Sequence, residues 1–473
     1  MWQVGSQAVM AVLSILTVKF VAIGLSKELA GNYNSAYGYL QLFGILADFG
    51  LYAVAVREVS QAKDRAKMMG ALVILRSIIL VLSLAAALLF VWVLPAWRGT
   101  PFPIGVTIAS LVPFFTLLAG IQRTVFQVEY KMKFVFISEV TQRVVTVLLI
   151  GAAIMMGVRE SNDLQVYEYF LLAGGIGAAV LFGLSTFYAH RLLKIKFGWD
   201  PELMKYLLKR AAPYGAAYLC TALYRQLDVT LIALLRFDYD IQNAYYGFAL
   251  RAGEMAYLFP TFLLNSTLPI LSKRTSAGED TRDFVGKIFF AILLITVTAS
   301  LFSVLWARPI MQLLTRDEFL STATTAGSDT ALELLALPML LNGIVLFAFY
   351  NLLTHHAWRP LVATLSLGAV LSIGLNLMLI PKFGFVGAAS ASIMTHVFLV
   401  SLLLPQSLRI MPMRLSALLV QQWIGYTLLL AAALAVSRPF LTSIPFTILG
   451  LLCALLYIAV ITHVTGIRRS LSF

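Results

Sequence analysis

Residues 218–235 read YLCTALYRQLDVTLIALL. A bilayer's hydrocarbon core of about 30 Å takes ~20 apolar residues at helical rise, so this run is most of a membrane-crossing helix. Yet Arg225 and Asp228 stand in its middle, where each charge costs about 2.5–3.5 kcal/mol on insertion scales. A pair kept at that cost predicts a helix that crosses the membrane while turning its charged side away from lipid.

The rest of the chain has the same character. Of 473 residues, 60% are hydrophobic and 12% charged, and the mean hydropathy is +0.87, far from the balance of a soluble domain. The apolar residues come in blocks of about 20, the length of spanning helices, rather than the alternating segments of a membrane barrel. We therefore expect an all-α polytopic membrane protein of about 14 spans, near 4–24, 36–56, 68–94, 103–122, 135–157, 167–188, 211–235, 243–266, 285–305, 331–353, 361–380, 385–404, 421–437 and 444–462. The first block has a charge-free start and no small-residue cleavage pattern, so it reads as a span and not as a leader. The net charge of +13 sits in short segments between blocks, which points to membrane topology and not to nucleic acid. Cys220 and Cys453 fall inside spans, so neither a disulfide framework nor a thiolate metal site is expected, and no cofactor is.

The basic residues orient this map. With both termini in the cytoplasm, 22 of the 35 Lys and Arg lie in inner loops and 8 in outer loops, the bias that sets orientation in a cell membrane. Five remain inside spans: Lys19, Arg76, Arg143, Arg225 and Arg251. The acids well inside spans are Asp48, Glu139, Asp228 and Glu254.

A repeat joins the second and eighth spans. NSAYGYLQLFGILADFGL from Asn34 aligns with NAYYGFALRAGEMAYLF from Asn243, an offset of 209 that sets Tyr37-Gly38-Tyr39 on Tyr246-Gly247-Phe248. Each copy precedes a basic inner loop, so the halves share one orientation, as in transporters built from parallel repeats. The expected organisation is a six-helix lobe over 1–195, a second over 196–408, and two additional helices with a tail over 409–473. Between the lobes, the basic segment 191–213 suits a short amphipathic helix on the inner surface.

At this point the residues resemble a known family. NLMLIPKFGFVGAASASIMTH, residues 376–396, is similar to the signature of Wzx-type polysaccharide flippases of the multidrug/oligosaccharidyl-lipid/polysaccharide superfamily. So are Tyr224-Arg225 followed by Asp228, the Tyr-Gly turn into a span ending at PILSK from Pro269, and RPIMQLLTRDEFLSTATTA from Arg308. The resemblance implies a V-shaped bundle that moves an undecaprenyl-pyrophosphate-linked oligosaccharide to the outer leaflet by alternating access. Its partners would be that lipid, the membrane lipids and polysaccharide assembly proteins. The related lipid II flippases use cations on the first and eighth spans, and Lys19 and Arg251 lie where those would fall.

The chemistry agrees with an anionic cargo. A pyrophosphate needs cations to cross hydrocarbon, and arginine binds phosphate oxygens in pairs while staying charged. On a helix, Arg225 and Asp228 share a face, as do Arg251 and Glu254, and Glu139 and Arg143. Arg225, Arg251 and Lys19 are the expected substrate ligands, and Asp228, Glu254 and Asp48 the groups that balance charge or carry a coupling proton. Against this stand structural ion bridges and snorkelling, the simpler reading of Arg76, Glu139 and Arg143. Tyrosines 33, 37, 39, 214, 218, 224, 245 and 246 offer sugar-stacking faces or interface belts. His355-His356 beside Trp358 reads as an interfacial loop and not a metal site. An exporter of cationic drugs would instead present carboxylates, and a membrane enzyme acting on lipid-linked sugars would carry a catalytic loop longer than the about 25 residues found here.

Overall fold

The computed structural model describes residues 2–471, without the side chains of residues 2–8, 255–258, 268–269, 272 and 275–276. The PILSK motif at Pro269 and the start of the first span thus fall partly outside the described residues. The fold is helical; among the described residues there is no strand, and eleven helices are long and apolar enough to cross a membrane. One of them, Trp358–Ile410, runs 53 residues with a non-helical Gly384 (φ 57°, ψ −135°), at the gap expected between spans 361–380 and 385–404. The expected spans near 4–24 and 243–266 lie on the helices Trp2–Gly24 and Tyr239–Ser276, some of whose side chains are outside the description.

The chain divides into two compact units, Met1–Gly247 and Phe248–Phe473. The first holds α1 (Trp2–Gly24), α2 (Lys27–Asp48), α3 (Leu51–Gln61), α4 (Arg65–Val93), α5 (Phe102–Ala109), α6 (Leu111–Val128), α7 (Lys133–Met155), α8 (Leu164–Leu192), α9 (Pro201–Leu235) and the first turns of α10 (Tyr239–Ser276). Short polar residues start these helices by accepting otherwise orphaned amides. Ser26 accepts from Leu29 N at 3.3 Å, Asp64 from Lys67 N at 3.0 Å and Asp163 from Gln165 N at 2.9 Å.

Residues 191–213 differ from expectation. No separate surface helix forms: Leu193–Asp200 is non-helical, and one 35-residue helix then runs from Pro201 through Leu235. Asp200 caps it, accepting from Leu203 N at 3.1 Å, and Pro201 takes the first helical position, where a missing N–H costs nothing. The extended stretch is tied to the start of α4. Lys196 N donates to Ala66 O at 3.2 Å, Lys67 Nζ lies 2.8 Å from Asp200, and Lys196 Nζ lies 3.4 Å from Asp64.

Within the first unit α2 packs on α4 and α9, α1 on α7, and α8 on α6 and α7. Leu51, Val59, Met69, Ile121, Phe126 and Leu207 belong to one apolar core cluster. At another place Tyr39 packs edge to face on Trp97 and on Phe102, with Trp97 Nε1 donating to Ala233 O at 2.7 Å. The second span is not continuous. Phe49 (φ 40°) and Gly50 (φ 70°) are both left-handed, so α2 stops and α3 restarts there. A Cβ on Gly50 would lie 2.5 Å from Gly215 N, so only glycine allows this approach to α9.

The second unit comprises the rest of α10 with α11 (Arg282–Leu305), α12 (Ala307–Leu314), α13 (Ser328–Thr354), α14 (Trp358–Ile410), α15 (Ala417–Ser437), α16 (Ile444–Val464) and α17 (Ile467–Ser470). The helix α13 packs on α11 and α14, and α15 on α11 and α16. Phe284, Ile288, Phe289 and Phe347 form its core, and Trp306 Nε1 donates to Leu434 O at 2.9 Å. Leu418, Leu428 and Leu429 on α15 and Leu449, Leu452, Leu455 and Leu456 on α16 are exposed, as on helices bathed in lipid rather than water.

Candidate functional site

The charged residues inside spans divide between the two units. Lys19 on α1, Asp48 at the end of α2, and Arg225 and Asp228 on α9 belong to the first; Arg251 and Glu254 on α10 belong to the second. Lys19, Asp48, Arg225, Arg251 and Glu254 are half-buried, whereas Asp228 is 7% exposed.

Asp228 is held by α10 and by its own helix. Its carboxylate accepts a short hydrogen bond from Tyr246 Oη and a second from Val229 N at 2.9 Å. Near it in sequence, and along α2, α9 and α10, lies a set of buried polar contacts. Asn243 Nδ2 donates to Val229 O at 3.0 Å and to Ser35 Oγ at 2.8 Å; Asn34 Nδ2 donates to Asn243 O at 3.2 Å; and Tyr239 Oη donates to Asn32 Oδ1 at 2.8 Å. All of these side chains are buried. Small residues let the backbones close on these contacts, as is usual where helices meet in membranes. A Cβ on Gly31 would sit 1.6 Å from Asp240 O, and one on Gly247 would sit 2.6 Å from Asn34 Cβ.

Asp48 has a partner that the sequence did not pair with it. Arg76 on α4 reaches it at 2.5 Å, and the two side chains are 8% and 26% exposed for Arg76 and Asp48 respectively. The pair sits where the second span breaks, a place at which main-chain groups escape regular helix bonding and polar side chains collect. Glu139 is met by Arg123 of α6 at 3.3 Å, a cross-helix bridge in keeping with the structural reading of that residue. Neither partner was legible, because helical spacing shows faces and not which helix stands opposite.

Of the tyrosines considered for sugar stacking, Tyr33, Tyr39, Tyr224 and Tyr246 are at most 4% exposed, which corrects that option for these four. Asn32, Asn34, Asn243 and Tyr246 are instead the polar residues missed as a group. The signal was present in part, since the repeat aligns Asn34 with Asn243, but alignment does not say that aligned residues touch. His355 and His356 lie in the turn between α13 and α14, and no cluster of metal-ligating side chains occurs among the described residues.

A family model described as "Polysaccharide biosynthesis protein" matches residues 1–275, more than half of the chain. The chain belongs to the polysaccharide biosynthesis protein family. Among solved structures it is similar to the lipid II flippase MurJ in an inward closed conformation, at 14% identity and a TM-score of 0.71, over 98% of this chain and 97% of that one. It is also similar to an inward-facing multidrug resistance MATE family transporter of the MOP superfamily, at 11% identity and a TM-score of 0.62, over 84% of this chain and 94% of the other. An outward-facing structure of a multidrug resistance MATE family transporter matches at 13% identity and a TM-score of 0.59, over 86% and 93%. No curated protein matches in sequence. At such identities the structures establish the fold, a helical transporter fold in a multi-pass membrane protein.

Proposed function

We propose that this family member is a flippase that carries a polyprenyl-pyrophosphate-linked oligosaccharide from the inner to the outer leaflet of the cell membrane by alternating access. The reading rests on the polysaccharide biosynthesis family match in a chain whose spans keep half-buried cations. The flippase fold of MurJ supports it. A pyrophosphate brings about two negative charges, and Arg225, Arg251 and Lys19 supply cations for them. Arginine's planar fork is suited to paired phosphate oxygens, and the lysine acts as a point charge.

Carboxylates three residues further along the same helices, Asp228 after Arg225 and Glu254 after Arg251, share a face with the guanidiniums and balance them before cargo enters. When the pyrophosphate replaces them, a released carboxylate takes up a proton, which links transport to the proton gradient. Reconstituted protein should move a labelled polyprenyl-pyrophosphate oligosaccharide across the bilayer, faster with a pH gradient than without. Arg251→Glu should stop this movement while the protein still inserts; normal flipping by that variant would rule the assignment out.

Likeness to MATE structures and the buried Asp228 favour a second reading, export of a lipophilic cation. The same proteoliposomes decide, because a cation exporter would transport a fluorescent cation and leave the lipid-linked sugar in place.

A further inference from the structure

The two helices beyond the repeat, α15 and α16, end at a feature that the flippase reading does not use. The turn between α16 and α17 frames a cavity of about 450 Å³ lined by Thr462, His463, Gly466, Arg468 and Arg469. Two arginines and a histidine line it with no carboxylate among the five, so its chemistry is that of an anion site. The turn is built by Gly466 at φ +70°, with Gly466 N donating to His463 O at 3.1 Å and Arg469 N to Gly466 O at 3.0 Å. A Cβ there would be strained and would sit 3.3 Å from Gln422 Nε2 on α15. Beside that nitrogen, Gln422 Oε1 is buried without a hydrogen-bond partner.

The helix that leads into this turn carries an apolar stripe. Leu452, Leu456, Val460 and Val464 follow one another at four-residue spacing on α16 and are 58%, 65%, 59% and 69% exposed. Residues four apart lie one above the other on a helix face, so the stripe runs along the helix to the turn that holds His463, Arg468 and Arg469. An anion site at the end of a lipid-facing stripe fits an amphiphile with a charged head and an acyl tail.

We propose that this cavity binds an anionic phospholipid of the surrounding bilayer, its phosphate against Arg468, Arg469 and His463 and one acyl chain along the α16 stripe. Basic residues near a membrane surface are each worth about fivefold in binding to anionic lipid. The two unrepeated spans would then hold a structural lipid, separate from the cargo.

The test uses full-length protein in nanodiscs of phosphatidylcholine with a minor share of phosphatidylglycerol, followed by mild detergent extraction and mass spectrometry of the retained lipid. Wild type should retain phosphatidylglycerol over phosphatidylcholine, Arg468→Gln/Arg469→Gln should lose that preference by about fivefold per arginine, and Arg468→Lys/Arg469→Lys should keep most of it. If the Gln variant does not fold, wild type alone still decides, since equal retention of the two lipids overturns the proposal. Displacement of phosphatidylglycerol by an equal amount of polyprenyl pyrophosphate overturns it too, because the cavity would then serve cargo. Loss of the lipid with flipping intact upholds the site and leaves the transport reading untouched.

Discussion

Asn34 Nδ2 donates to the main-chain oxygen of Asn243 at 3.2 Å, although the two residues stand 209 positions apart at equivalent places in the repeat. The contact ties the start of α2 to the start of α10, both within the first unit. Around it the bonding is asymmetric: Asn243 gives its amide to Ser35 Oγ and Val229 O, whereas the side-chain bond donated by Asn34 goes to Asn243.

That asymmetry orders two alanine variants. Asn243→Ala removes both donated bonds and leaves buried acceptors on two other helices, a loss of about 1–3 kcal/mol. Asn34→Ala removes one bond and should cost about 0.5–1.5 kcal/mol. Thermal unfolding of the detergent-solubilised protein should rank wild type above Asn34→Ala and that above Asn243→Ala.

Gly31 and Gly247 separate two kinds of close packing. At Gly247 a methyl group meets the Asn34 side chain, 2.6 Å away, and at Gly31 it meets the main-chain oxygen of Asp240, 1.6 Å away. Overpacking costs about 1–3 kcal/mol where neighbours can shift. Adding Asn34→Gly should therefore rescue part of the damage in Gly247→Ala and none of that in Gly31→Ala. Equal rescue would mean that the main chain at Asp240 yields.

How far the sequence carried this structure depended on what each signal encodes. Uniform apolar blocks such as 135–157 and 285–305 became α7 and α11 with small shifts at the ends, because length and hydropathy suffice to define a span. Asp200-Pro201 held a legible helix start, but hydropathy alone did not reveal that the helix runs unbroken past Pro213 into the membrane. The break at Phe49-Gly50 was hidden in the apolar run ILADFGL, since a positive φ at Phe49 has no compositional mark. In the candidate site, Asp228 and Arg225 were found because charges are rare in spans; Tyr246, Asn243 and Arg76 were not paired with them or with Asp48, since tertiary contacts leave no period in the chain.

The ion pair of Asp48 and Arg76 predicts a coupled loss. Breaking a buried pair by removing one partner costs about 3–5 kcal/mol, while removing both costs much less. Asp48→Asn and Arg76→Gln should each destabilise strongly, and the double variant should recover much of the loss. Additive losses would show that the 2.5 Å contact contributes little.

The extended segment before α9 should respond to acid and not to neutral pH. The hydrogen bond from Lys67 and that from Leu203 N hold the Asp200 carboxyl below the usual carboxylate range, and the main-chain N–H of Lys67 does the same for Asp64. For a depressed carboxyl, the stabilisation is complete above the unfolded value of about 3.9 and fades as pH falls through the folded one. Hydrogen exchange of amides in residues 193–200 should thus show flat protection from mild acid to mild base and increased opening below about pH 4. Asp200→Asn should show that opening already at neutral pH.

Asp228 and Tyr246 distinguish a structural carboxylate from a coupling one. Tyr246→Phe deprives a buried carboxylate of a donor, so it should lower stability by about 1–3 kcal/mol. Asp228→Asn keeps one oxygen to accept from Tyr246, gives up the bond from Val229 N, and removes the buried charge, so the fold should tolerate it better. If Asp228 exchanges a proton during transport, Asp228→Asn should flip at a rate indifferent to the pH gradient, while Tyr246→Phe, with its carboxyl intact, should still respond. A gradient response preserved in Asp228→Asn would move the coupling role elsewhere, to Asp48 or Glu254, and leave Asp228 as the acceptor that anchors α10 to α9.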